Sequence, residues 1–141
     1  MPLPGLFIIK GACILGDVSL SNISSKGSVL FCNSEIGGLL FIAESTFYGE
    51  TTIDNTSIHN FTKFEAVKVN GYIDFSRSKY NFRLSLSGGE AGRGIKFNCT
   101  ILNDLVDISN IKVLTGIGIF NALFKDPFFI KSEPAEKQKN L

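Results

Sequence analysis

The sequence predicts an all-β chain, a β-helix (β-solenoid) built from short extended segments. Two observations carry that prediction. A large apolar residue recurs every eleven positions along the whole chain, and a glycine column keeps the same period through the first half. No insertion interrupts the period over ten units. Fixed repeats of this kind are the signature of stacked, quasi-one-dimensional folds.

The anchor column reads Ile9, Leu20, Phe31, Ile42, Ile53, Phe64, Phe75, Leu86, Phe97, Ile108 and Ile119. Two residues before each anchor stand Phe7, Val18, Val29, Leu40, Thr51, Thr62, Ile73, Leu84, Ile95, Val106 and Ile117, all apolar or β-branched. Residues two apart share one face of an extended segment, so each such pair reads as a short strand. Five residues after the anchors comes a third column that includes Ile14, Ile36, Phe47, Ile58, Val69, Tyr80 and Leu102. Three after the anchors the residues are mostly small, as at Ala12, Ser34, Ser45, Thr56, Ser78 and Thr100. Seven after them stand Gly16, Gly27, Gly38, Gly49, Asn60 and Gly71, and then Phe82, Arg93, Asp104 and Thr115. Glycine and asparagine tolerate positive φ, so this column is expected to turn the corners. A helix is excluded, because offsets of 0, 5 and 9 do not share one face at 3.6 residues per turn. A β-sandwich also spaces its strands at 8–12 residues, but it rarely holds an unbroken period.

The stretches FIAESTFYGETTIDNTSI and FEAVKVNGYIDFSRSKY resemble the pentapeptide-repeat superfamily in its eleven-residue-unit variant. The resemblance covers residues 7–118. It implies a right-handed quadrilateral β-helix in which two units make one coil, so that residue i stacks on i+22. Phe31, Ile53, Phe75 and Phe97 would then form one internal ladder, and Leu20, Ile42, Phe64, Leu86 and Ile108 the opposite one. About five such coils are expected, preceded by an N-terminal cap at 1–6. A short non-repeat C-terminal cap at 119–130 and a disordered tail at 131–141 would follow. Within the cap, GIFNALFKDPFFI is expected to leave the repeat as a short helix through Phe124, stopped before Pro127.

Composition narrows the function. Apolar residues make up 44% and the net charge is +1, so neither a basic nucleic-acid binder nor an acidic mimic of duplex DNA fits. VLTGIGIFNALF is too short to cross a bilayer, and no membrane span is expected. Cys13, Cys32 and Cys99 form no disulfide framework, and free thiols suit a cytoplasmic location. His59 is alone and expected outside, without the oriented partner that catalysis needs or the further ligands that a metal needs. No catalytic, cofactor-binding or metal-binding residue is therefore assigned, and the chain is expected not to be an enzyme. SGGEAGRGIKF lacks the Lys-Ser or Lys-Thr of a phosphate-binding loop and reads as a looser corner. The sequons at Asn22, Asn55, Asn60 and Asn98 are read as a by-product of the repeat.

Seven basic residues against three acidic ones fall between 63 and 96, either as solvated edges or as a basic patch for an acidic partner. Aromatics outside the core columns mark candidate interfaces. Phe82 stands where the repeat favours glycine and should project, while Phe128 and Phe129 fall in the expected cap. These three residues are the candidate interface, with a homodimer expected through the C-terminal end. The expected function is a non-catalytic β-helical scaffold for protein–protein interaction, binding a protein partner or another copy of itself. The alternative is a self-assembling structural filament protein of bactofilin-like type.

Overall fold

The computed structural model describes residues 2–3 and 5–129. Every described element is a β-strand, and every pairing is parallel. Register is constant across nearly all of them, with residue i against i+22: Ile9 pairs with Phe31, Phe31 with Ile53, Ile58 with Tyr80, and Phe64 with Leu86. The chain is a β-solenoid. Each coil contributes four strand segments, one to each side.

One six-stranded sheet stacks Phe7–Lys10, Val29–Cys32, Thr51–Asp54, Ile73–Asp74, Ile95–Asn98 and Ile117–Phe120. A second six-stranded sheet stacks the two-residue strands Cys13–Ile14, Glu35–Ile36, Ser57–Ile58, Lys79–Tyr80, Ile101–Leu102 and Leu123–Phe124. A nine-stranded third sheet wraps the remaining two sides. One of these sides holds Val18–Ser21 and Leu40–Ala43 and closes with Phe128–Phe129. The other holds Pro2–Leu3, Ser24–Ser25 and Thr46–Phe47. Thr62–Val69, Leu84–Ala91 and Val106–Val113 serve both.

The expected ladders fill the interior. Phe31, Ile53, Phe75 and Phe97 are all fully buried, and the Phe75 and Phe97 rings stack at 5.3 Å and 17°. Phe64 meets Phe75 across the core at 5.7 Å, and Tyr80 meets it edge-on at 5.7 Å. Each such burial contributes about 1.5–3 kcal/mol. The small column is also structural. The Ser34 hydroxyl donates to Cys32 O and accepts from Ala12 N–H in the preceding coil. Ser45, Ser78 and Thr100 likewise tie their own turn to a neighbouring coil. Buried hydroxyls thus satisfy backbone groups that the short strands leave over.

Three expectations need correction. First, the glycine column does not supply the positive φ. That role falls to the residue two after every anchor except Ile108: Gly11 (φ 64), Asn22 (55), Asn33 (51), Glu44 (47), Asn55 (48), Ala66 (54), Arg77 (55), Gly88 (67), Cys99 (55) and Asn121 (54). Asparagine visits this region more readily than most residues, which explains why Asn22 and Asn55 create sequons. Past Gly16, the glycines seven after the anchors, Gly27, Gly38, Gly49 and Gly71, are needed for closeness instead. A Cβ on Gly49 would lie 2.8 Å from the Gly27 carbonyl, and one on Gly27 would lie 2.5 Å from Gly5 O.

Second, strands were expected to stay short, yet Thr62–Val69, Leu84–Ala91 and Val106–Val113 each run eight residues. They carry the ladder around a corner. Thr62–Val69 pairs with Leu40–Ala43 before Ala66 and with Thr46–Phe47 after it. The glycine-rich SGGEAGRGIKF lies partly in the second of these strands, where Gly88 and Gly89 both have positive φ and the pairing to the next coil slips. It is an irregular corner, as expected.

Third, the C-terminal helix does not form. Ile117–Phe120, Leu123–Phe124 and Phe128–Phe129 pair in the same i to i+22 register, so the repeat reaches a sixth, partial coil. Apolar residues of GIFNALFKDPFFI fall in the core columns, and the ladder below them outweighs local helix propensity. At about 4.8 Å per coil, six coils stand about 29 Å tall. The expected tail at 131–141, the Ile130 end of the cap and most of the N-terminal cap lie outside the residues whose side chains are described.

The two roles of glycine can be separated by mutation. Gly49→Ala should cost about 1–3 kcal/mol, because its methyl meets backbone of the coil below. Gly16→Ala, in the same column but with nothing within 4 Å, should change stability by less than about 1 kcal/mol. Denaturant midpoints for the two variants provide the measurement.

Candidate interaction surfaces

The core is closed with apolar side chains, so functional groups must lie on the outer faces. Phe82 is 48% exposed and projects as expected. Its ring meets Phe61, one coil below, edge-on at 6.4 Å. The Arg83 guanidinium lies 5.8 Å from the Phe61 ring centroid and 3.9 Å from the Asp107 carboxylate. The Arg83 Nε is buried with no hydrogen-bond partner. Asp107 is paired in the ladder with Phe129, which is 51% exposed. Phe61, Phe82, Arg83, Asp107 and Phe129 therefore form a continuous strip along one corner of the rod. Phe82 and Phe129 stand about two coils apart on this corner and are linked through Arg83 and Asp107. A sequence reading could have placed Phe129 beside Asp107, had it carried the repeat past residue 118.

Phe128 belongs elsewhere. It pairs with Val106 and so has a slot in the repeat, contrary to expectation. Its ring turns inward onto Phe97 at 5.6 Å and Phe124 at 4.5 Å. It closes the top of the core and is not part of the strip.

The basic residues of 63–96 do not make a patch. They span about one and a half coils and so circle the rod. Most meet acidic partners: Lys63 with Glu65, Lys68 with Glu90, Arg77 with Asp54, and Arg83 with Asp107. Arg77 holds Asp54 in a bidentate pair at 2.7 and 2.6 Å, and this bond with the attraction of Asp54 raises the Arg77 pKa. Arg93 and Lys96 lie over the Tyr72 ring at 5.8 and 3.8 Å. Solvated, mutually neutralised edges describe this girdle better than a site for an acidic partner.

His59 is exposed, yet it has an oriented partner on each ring nitrogen. Asn81 Nδ2 donates to Nδ1 at 2.7 Å, which leaves Nε2–H to donate to Glu35 Oε1 at 2.7 Å. Asn103 Nδ2 donates in turn to Asn81 Oδ1 at 3.0 Å. Both nitrogens are occupied, so the ring serves as a rung in a polar ladder. Asn81 stands one coil after His59 in the same column and was predictable from the repeat, whereas Glu35 reaches it diagonally from a neighbouring column. The three cysteines are free, with Cys32 buried. Among the described residues, no three His, Cys, Asp or Glu side chains converge on one point, and no helix is long and apolar enough to cross a membrane.

The chain matches no family model, no curated protein and no solved structure.

The strip has one group that responds to acid. Hydrogen bonding from the Ser109 side chain, then from its N–H, lowers the Asp107 pKa, and Arg83 adds to the shift. A carboxylate depressed in the folded state stabilises it above the unfolded aspartate value of about 3.9 and loses that contribution as pH falls through the lower folded value. Asp107→Asn should therefore lower the thermal midpoint near neutral pH. Its difference from the parent protein should shrink as pH drops below about 4, as read by thermal melts across that range.

Proposed function

We propose that the protein is a non-catalytic interaction scaffold of pentapeptide-repeat type, and that a protein partner binds along the corner strip from Phe61 to Phe129. The observation that carries this reading is the exposure of Phe82 and Phe129 beside a core that is already filled. Apolar rings left outside a satisfied core usually mark interfaces. An arginine held over aromatic rings is a common interface anchor. The eleven-residue unit, the two-unit coil and the small column two residues before each third-column side chain support the family assignment. Free thiols support a reducing, cytoplasmic setting. On this reading Arg83 and the exposed rings serve recognition, and no covalent chemistry takes place.

A photo-crosslinking residue in place of Phe82 tests it in the native cell, with Thr52 on the first sheet as the control position. Crosslinks to one protein from position 82, but not from 52, are expected. They should be lost when Arg83→Ala and Phe129→Ser are added. Equal yields at both positions, or none at 82, would overturn the strip as a binding surface.

A further inference from the structure

One corner of the rod carries a file of side-chain hydrogen bonds that all run the same way. Asn103 Nδ2 donates to Asn81 Oδ1 at 3.0 Å, Asn81 Nδ2 donates to His59 Nδ1 at 2.7 Å, and His59 Nε2–H donates to Glu35 Oε1 at 2.7 Å. Each donor stands in the coil above its acceptor, and the series ends on a carboxylate. The coil register builds this file. His59, Asn81 and Asn103 occupy one column, held there by the N–H of Asn81 on Ile58 O and that of Asn103 on Tyr80 O. Beneath His59 in the same column is Gly37, which has no side chain, so the Glu35 carboxylate can swing across to the ring. At the upper end, Asn103 Oδ1 is buried and has no hydrogen-bond partner among the described residues.

We propose that the charge on His59 sets the direction of this file, so that protonating the ring reverses it. Neutral imidazole has one donor and one acceptor, and Nδ1 accepts from Asn81 only while it carries no proton. In the imidazolium both nitrogens donate. The ring is exposed, so the proton comes from solvent. Nε2–H keeps Glu35, and that bond becomes charge-assisted. Nδ1–H then faces the Asn81 amide nitrogen, donor against donor. A half-turn of the Asn81 amide removes the conflict and presents Oδ1 to the ring. The same half-turn points Asn81 Nδ2 up the file, where Asn103 turns as well and offers Oδ1. That oxygen is the acceptor left over in the neutral file, so the reversed file takes it up and leaves Asn103 Nδ2 over instead. The number of bonds is the same before and after, and only their direction changes. A proton taken up at His59 is thus registered two coils away, at Asn103, through hydrogen bonds that polarise one another.

The charged groups around the ring are few. Glu35 lies beneath it and attracts a charged imidazole. Register places Lys79 above Ser57 on the strand of the next coil, where it opposes that charge. Further up the corner stand Arg83, which faces Asp107, and then Asp104, Lys125 and Asp126. None of these bonds Nδ1, whose partner is Asn81. The adjacent corner supplies a matched file with no imidazole in it. There Asn55 Nδ2 donates to Asn33 Oδ1 at 2.7 Å in the same direction. No group in that file can reverse it. The device uses neither the rings nor the arginine of the strip, and it stands or falls independently of the scaffold reading.

Nuclear magnetic resonance of the ¹⁵N-labelled full chain tests the device. On the alkaline side of its titration the His59 ring should carry its proton on Nε2, with Nδ1 bare. As pH falls, the side-chain amide signals of Asn81 and Asn103 should shift with the same midpoint as the ring, while those of Asn33 and Asn55 stay where they are. Asn81→Ala interrupts the file, so His59 should still titrate and Asn103 should stop responding. Glu35→Gln leaves the amides in place, and Asn103 should still follow the ring. His59→Gln should abolish the response of both amides. A proton on Nδ1 in the neutral ring would overturn the proposal, as would an Asn103 signal that stays still in the parent protein; neither reading needs a variant to fold. An Asn103 that still follows the ring in Asn81→Ala would overturn it too, because the charge would then act through space and not through the file.

Discussion

Nearly every described side chain inside the stack has, above and below it, the side chain at i+22 and i−22. That single constraint governs the rest of the structure. It sorts residues into columns, and a column tolerates only side chains that can stack on their own kind at about 4.8 Å. Large apolar residues fill the anchor columns because their neighbours are equally large, as in the stacked Phe75 and Phe97. Hydroxyls fill the small column because each can serve two coils at once, as Ser34 does. Even exposed positions obey it: Asn33 and Asn55 bond from one coil to the next, and Glu90 lies between Lys68 and Lys112 in one file.

The core was legible in the sequence because burial is periodic and class-specific. The anchors, the β-branched column and their inward orientation could be read directly from the eleven-residue spacing. The corners were not, for a physical reason. Glycine has two uses, positive φ and lack of a Cβ, and residue identity alone does not separate them. Gly27, Gly38, Gly49 and Gly71 need the second, while the left-handed corners are held by Asn, Glu, Ala, Arg and Cys as well as glycine. The tethered coils impose that conformation on residues that would ordinarily avoid it, at a cost of order 1 kcal/mol each. The C-terminal coil was missed because its local signals, a broken glycine column and a proline, mark a loop boundary, whereas its pairing is long-range. His59 was judged without its ladder for the same reason: its partners, Glu35 and Asn81, lie one coil away on either side.

The same constraint shapes where function can reside. A filled, one-dimensional core leaves four outer faces and two ends. Charges that cluster in sequence are spread around the rod, so the basic stretch becomes a girdle of paired residues. Aromatics nearly one coil apart are instead gathered on one corner, as Phe61 and Phe82 are. Surface features of a solenoid are therefore to be sought modulo its coil and not along its chain.

The central claim is the parallel stacking of i on i+22, and nuclear Overhauser contacts test it most directly. The ring protons of Phe31, Phe75 and Phe97 and the methyls of Ile53 should connect in the order Phe31, Ile53, Phe75, Phe97, with backbone amides showing parallel-strand contacts at the same interval. Strong Hα–Hα contacts between sequence-adjacent strands, the mark of antiparallel hairpins, together with no Phe75–Phe97 contact, would contradict it.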